Sequence, residues 1–248
     1  MNNRSLKKLL PVIVLILTCF TAKAQYFGYN YLPYGIGAGF SSVRAYADLK
    51  KQYTHQAFNI NAFYNYSPYL PIAAELQFGT LSGGSNTDRT IDASGRQYAN
   101  SYKTLMLHGD FMLGEIINYE DKLLLNFVKN FYIGTGIGLI SNKMTFIQRH
   151  DLYDPTNRDF PGVSNNINII IPLRFGYEIK FFNAYNEPSF AIDLGYRHNV
   201  TLGEGLDGYD DPPSKFRNNA LDQYRQITIG FKYNFGSSVA YNKNIRRY

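Results

Sequence analysis

The chain has 248 residues, 16% of them aromatic, with 22 Tyr, 18 Phe and no Trp, and a formal charge of +6 at pH 7. Arg4, Lys7, Lys8 and Lys23 precede any acid, so the chain from Gln25 onward stands at +2, and the basic isoelectric point is no argument for nucleic acid as a partner. The one Cys, Cys19, lies in the same opening stretch, which excludes disulfides, thiolate metal sites and Cys nucleophiles from everything after it.

Met1–Ala24 combines a basic start, an apolar run from Leu9 to Phe20, and Ala22-Lys23-Ala24 before Gln25. This is the layout of a secretory signal peptide cleaved after Ala24, and the run is too short to span a bilayer. Lipoprotein processing at Cys19 is disfavoured by Thr18, which stands where a small residue is required. The expected organisation is a signal peptide over 1–24, a single domain over 25–236 and a basic tail over 237–248. The longest later apolar cluster, Leu123–Val128, is broken by Asn126 and Lys129, so no spanning helix follows. A chain held in a membrane without such helices must be a closed barrel, because every backbone polar group needs a partner there.

In chain order, Tyr34–Arg44 sets Ile36, Ala38 and Phe40 against Gly35, Gly37 and Gly39, and small residues on one face suit a crowded barrel interior. Ala45–His55 reads as a polar, partly helix-prone connection. Phe58, Ile60, Ala62, Tyr64 and Tyr66 alternate with Asn59, Asn61, Phe63 and Asn65. After a tight Ser67–Pro71 turn, Ile72, Ala74, Leu76 and Phe78 oppose Glu75, Gln77 and Gly79. Ser82–Asn100 is a Gly/Ser/Asn/Asp loop. In the fourth strand, Tyr102–Leu113, a carboxylate is costly in lipid, so Tyr102, Met106, His108, Asp110 and Met112 are expected inside.

Asn118–Lys122 turns the chain, and Leu123–Asn130 is an irregular connector without an assignment. Phe131–Phe146 carries a second glycine face at Gly134, Gly136 and Gly138. His150–Asn165 is a polar loop. From Ile167 to Lys180, a face of Ile, Leu, Phe and Tyr alternates with Arg174, Gly176, Glu178 and Lys180. Asn183–Pro188 is short, and Phe190, Ile192, Leu194, Tyr196 and His198 then alternate with Asp193, Gly195, Arg197 and Asn199. After the acidic loop Thr201–Leu221, the last strand sets Ile227, Ile229, Phe231, Tyr233 and Phe235 against Thr228, Gly230, Lys232 and Asn234.

Eight strands with connections running long, short, long, irregular, long, short, long predict an all-β, eight-stranded, antiparallel, up-and-down transmembrane β-barrel. A soluble lipocalin-like barrel would show the same alternation with the apolar face turned inward. The signal peptide, the abundant Tyr near strand ends and the even strand number favour an integral outer-membrane location, with outer-membrane lipid as the surroundings. Thr228, Gly230, Tyr233 and Phe235 fit polar-x-Gly-x-x-aromatic-x-aromatic, which resembles the closing-strand signal read by the barrel-assembly machinery. With Ala22-Lys-Ala-Gln25 and the two glycine-striped strands, the chain resembles the small outer-membrane β-barrel proteins of Bacteroidetes often grouped as PorT-like. That resemblance implies an outer-membrane barrel, some members of the group serving protein secretion and gliding, and it matches no residue to such a role.

The charged residues of the expected lumen are Glu75, Asp110, Arg174, Glu178, Lys180, Asp193, Arg197 and Lys232, which must pair because an isolated buried charge is very unfavourable. Catalysis finds little footing. A deacylase-like His-x-Ser pair would need a hydroxyl where Val200 follows His198, and His108 with Asp110 serves interior hydrogen bonding more readily than acid/base work. Glu204, Asp207, Asp210 and Asp211 crowd one loop without EF-hand spacing and read as a solvated acidic surface. The Gly-x-Gly runs lack the helix and lysine of a phosphate loop. No catalytic residue, metal site or cofactor is expected. The expected role is non-enzymatic, with a plugged charged lumen and long outer loops serving adhesion, a surface function or an assembly partner. The alternatives are a secretion or assembly accessory working from the periplasmic side through Asn118–Asn130 and the tail Ser237–Tyr248, and a lipid-modifying enzyme.

Overall fold

A computed structural model describes residues 30–119, 122–154, 159–210 and 221–241. The signal segment and its cleavage residues Ala22 and Ala24, Asp211, and the tail from residue 242 lie outside the described residues. Eight strands run β1 (Tyr34–Tyr46), β2 (Gln52–Ser67), β3 (Leu70–Gly84), β4 (Gln97–Met112), β5 (Phe131–Ile147), β6 (Asn165–Phe182), β7 (Pro188–Leu202) and β8 (Gln223–Phe235). Each pairs antiparallel with its sequence neighbour, and β8 returns to β1 from Tyr34↔Phe235 to Tyr46↔Gln223, closing the barrel. Closure satisfies the backbone groups that an open sheet leaves at its edges. No described helix is long and apolar enough to cross a membrane, which says nothing about a barrel.

The faces follow the period of two. Ile36, Phe40, Ile60, Leu105, Ile133, Leu173, Ile227 and Phe231 point outward and are exposed, while Glu75, Gln77, His108, Asp110, Arg174 and Arg197 point inward and are buried. Both glycine stripes face in. A Cβ on Gly37 of the first stripe would lie 2.9 Å from the Phe63 ring, and one on Gly195 of β7 would lie 2.6 Å from the Tyr132 hydroxyl, so these glycines make room for rings inside the wall. The tight β6–β7 turn is closed by Asn186 at φ 65, a conformation that Asn tolerates better than most residues.

Two connections differ from the sequence expectation. Ala45–His55 is mostly strand: Val43, Ala45 and Gln52 continue the inward face and are buried, leaving only 47–51 as a turn, with a bulge between Tyr53 and Ala57. Three long connections, 85–96, 148–164 and 203–222, therefore share that end with one short one. The connector with no assignment contains a helix, α1 (Leu123–Val128). Its Asn126 interrupts the apolar run without breaking the helix, which ends at Lys129. Phe127 stacks on Tyr177 of β6 at 5.1 Å, and the Tyr177 hydroxyl donates to the Phe127 carbonyl at 3.0 Å, so α1 lies against the outer wall at the short-turn end. Residues 237–241 are not free of the barrel: Tyr31 bridges Val239, and Tyr241 packs beneath the wall.

Candidate functional site

The lumen is layered, and its middle holds the charges. Arg197 on β7 clamps Glu75 on β3 with both Nη atoms, the Nη2–Oε2 bond being 2.6 Å. Arg174 on β6 clamps Asp110 on β4, Nε to Oδ1 at 2.8 Å and Nη2 to Oδ2 at 3.1 Å. Each fork crosses the lumen between strands that share no ladder, and bidentate geometry of this kind is strong and directional. Arg174 and Arg197 are themselves register partners on β6 and β7, so the two carboxylates also relieve their mutual repulsion. His108 sits between the forks, its Nε2 3.3 Å from Arg174 Nη1 and 3.7 Å from Glu75 Oε2.

Lys232 and Lys180 share Glu178, each 3.9 Å from one of its oxygens. Lys232 also donates to Asn65 at 2.8 Å and lies 4.5 Å over the Phe63 ring. Lys180 donates to the Pro68 carbonyl and lies 4.6 Å over the Tyr69 ring. Asp193 has no ion pair among the described residues. It takes a hydrogen bond from Tyr132, and its Oδ1 is buried without a partner. The space beside this network is a cavity of about 40 Å³, room for a few waters at most.

Among the described residues each end of the lumen carries a cluster of buried side chains. On the short-turn side Tyr69, Met112, Tyr119 and Tyr132 cluster, Tyr69 donating to the Tyr119 oxygen at 2.8 Å, while Ser67 and Tyr241 donate to Glu115 at 2.8 and 3.1 Å. On the long-loop side, Leu49, Phe160, Leu206 and Tyr209 fold in from three connections onto Tyr98, Tyr102, Ile140, Ile170 and Tyr224. The sequence reading missed this apolar layer. Its signal was the inward phase of Tyr98, which a fourth strand begun at Tyr102 leaves out.

The acidic loop is not simply solvated. Asp207 is buried, accepting from the Asp48 and Tyr209 amides at 3.1 and 3.0 Å, and Asp222 accepts from the Leu206 amide at 2.8 Å, whereas Asp210 is exposed. Burial pushes the Asp222 carboxyl up to about 7, and burial with the neighbouring Asp222 and Asp48 carboxylates pushes Asp207 well above the carboxylate range. Among the described residues no group of His, Cys, Asp and Glu is arranged to hold a metal ion. His198 points outward with Nε2 2.7 Å from Gln223 Oε1. In β8, Thr228 and Gly230 face the lumen while Tyr233 and Phe235 are exposed on the outer wall, their rings stacked at 6.4 Å.

No family model and no curated protein matches the sequence. Among solved structures, Neisserial surface protein A is 12% identical, with a TM-score of 0.43 covering 82% of this chain and 97% of that one. The attachment invasion locus protein Ail of Yersinia pestis is 13% identical, with a TM-score of 0.40 over 83% and 99%. The outer membrane protein OprG from Pseudomonas aeruginosa is 10% identical, with a TM-score of 0.38 over 85% and 99%. Function does not transfer at these values.

Two outcomes are expected. Arg197→Ala leaves Glu75 buried without its fork and should lower unfolding stability by about 3–5 kcal/mol, whereas changing both residues to apolar ones of similar volume should recover most of that. Urea titration of the folded barrel measures both, and a single-variant loss under about 1 kcal/mol would show that the fork is not a strut. The raised Asp207 and Asp222 carboxyls stay protonated in the folded loop where the unfolded chain has ionised them. The Asp222 contribution is whole below about pH 4 and is lost as pH rises through about 7, and that of Asp207, raised in the same direction, is likewise lost as pH rises. Amide exchange at Leu206, corrected for intrinsic rate, should lose protection between about pH 5 and 8, and Asp222→Asn should flatten that dependence.

Proposed function

We propose that this chain is a non-enzymatic, integral outer-membrane barrel that conducts no solute and acts through its loop-side surface as an adhesion, surface or assembly-partner module. The observation that carries the membrane placement is the inversion of its faces: apolar and aromatic side chains are exposed around the whole wall while the strand carboxylates are turned inward. In water such a wall far exceeds the apolar patch a soluble monomer tolerates. In lipid it is the required band, and its edge carries aromatic contacts such as Tyr34–Tyr64 at 6.0 Å and Phe181–Phe190 at 5.8 Å. The lumen charges and the side-chain cluster at each end support the absence of a pore, because eight strands leave an interior that side chains can fill. A place in the PorT-like group rests on the sequence features alone.

The test is reconstitution. The barrel should insert into neutral phosphatidylcholine vesicles, migrate differently on gels when unboiled, and give no steady conductance in a planar bilayer. A soluble protein with no heat-dependent shift would overturn the placement, and a stable solute-permeable current would make it a diffusion pore. Replacing 87–94 with a Gly/Ser linker should leave insertion unchanged while lowering attachment to host cells or matrix. Unchanged attachment would move the function away from that loop.

One observation favours the second reading, an accessory acting from the periplasmic side. In α1, Leu123 and Leu124 are 84% and 72% exposed beside the short turns. The chain has no Trp, so Leu124→Trp gives a single reporter. Quenching of its fluorescence by brominated acyl chains would make α1 a foot in the membrane interface. A water-exposed spectrum, shifted to the blue only when a periplasmic partner is added, would favour the accessory role.

A further inference from the structure

The outer wall carries its own charge pattern. On β1, β4, β5 and β8 the outward apolar run ends toward the long loops, and beyond it stand Arg44, Lys103, Lys143 and Arg225, with His198 on β7. No outward strand position holds a carboxylate. Arg225 is the register partner of both Arg44 and His198, so the three stand in one row across β7, β8 and β1. Like charges placed directly opposite on one face of a ladder are destabilising. Inside the barrel the corresponding pair, Arg174 and Arg197, is neutralised by Asp110 and Glu75. Outside, neither Arg44 nor Arg225 makes an ion pair or a side-chain hydrogen bond among the described residues, and Arg44 Nε is buried without a partner. Arg225 instead lies 5.4 Å over the Tyr46 ring, whose centroid is 6.5 Å from that of His198.

We propose that Arg44, Arg225 and His198 form a site for the phosphate-bearing headgroup of a lipid in the leaflet on the long-loop side. The site rests on the membrane placement above: Ile227 and Tyr196, two residues below the row on their strands, and Phe40, four below Arg44, would end the hydrocarbon band, which sets the guanidinium groups at headgroup depth. Guanidinium forks match phosphate oxygens bidentately, and two facing forks hold one anion that relieves their repulsion. Tyr46 offers an amphipathic ring at the same level, a placement aromatic side chains favour at the interface. The neighbouring outward residues, Ser42, Gln223 and Thr54, add neutral polar groups and no competing anion.

The experiment compares the wild-type protein and R44Q/R225Q in nanodiscs of phosphatidylcholine alone and with added lipid A, the latter with and without its phosphates. Wild type should co-purify with phosphorylated lipid A, and the double variant should retain it at least tenfold less while inserting and heat-shifting normally. Thermal unfolding supplies a second readout. R225Q should raise the midpoint in neutral lipid, where it removes a repulsion, and lower it in phosphorylated lipid, where it removes a ligand. A fall of equal size in both lipids would mean the arginines are structural and would overturn the site. Equal retention of dephosphorylated lipid A would also overturn it, as would saturation by millimolar inorganic phosphate without effect on lipid retention. Normal insertion without phosphate preference leaves the membrane placement intact, whereas failure to insert into any lipid defeats that placement first.

Discussion

Two guanidinium–carboxylate forks across a narrow lumen organise the interior. With eight strands the inner space is about as wide as the side chains that fill it, so a charge pointing inward has no bulk water to fall back on. Glu75–Arg197 ties β3 to β7 and Asp110–Arg174 ties β4 to β6, joining strands that the backbone ladder leaves unconnected. Such pairs add little net stability over apolar fillers, but they penalise the wrong arrangement. Slipping a strand by one residue would carry its whole set of inward charges to the outer face and its apolar set into the lumen. The forks therefore act on register: the observed stagger brings a carboxylate to each guanidinium.

The inward glycines belong to the same constraint. Phe63 and Tyr132 occupy lumen volume because Gly37 and Gly195 leave space against the wall, and Lys232 and Arg174 lie near those rings at 4.5 and 5.8 Å. A cation over an aromatic face loses less on leaving water than one facing an aliphatic wall. Lumen chemistry thus runs from a glycine, through a ring that fills its vacancy, to a cation resting on the ring, and then to the carboxylate that neutralises it.

Much of this was legible in the sequence. The period of two gave the strands from Tyr34 to Phe235, and Asp110 alone set the phase of β4, since one carboxylate outweighs several Leu residues when the alternative is lipid. Partner choice was not legible, because Glu75 and Arg197 are 122 residues apart and meet only through a stagger that closure imposes. The first loop was overestimated because the polar Thr54 sits in strand beyond the apolar band, where a strand no longer needs an apolar outer face, and the polar Gln52 faces inward. The helix at Leu123–Val128 was missed for a different reason: six residues are too few to show a period of 3.6, and what holds them helical is docking on Tyr177 rather than propensity.

The two arginine pairs bring the inside and the outside of the wall under one rule. Arg174 and Arg197 face each other on adjacent strands, as do Arg44 and Arg225, and the backbone geometry of the two pairs is of the same kind. What differs is the medium each faces. The inner pair is enclosed, so its counter-charges must be supplied by the chain itself, and they come from the far side of the lumen. The outer pair faces away from every carboxylate on the strands, so its counter-charge must come from the surroundings or the repulsion stands. All the outward strand cations lie beyond the apolar band on the long-loop side, and none lies at its other edge. The wall is therefore electrostatically polar along the barrel axis, independently of loop length. In a membrane whose leaflets differ in phosphate content, that polarity would favour one orientation of the barrel over the other.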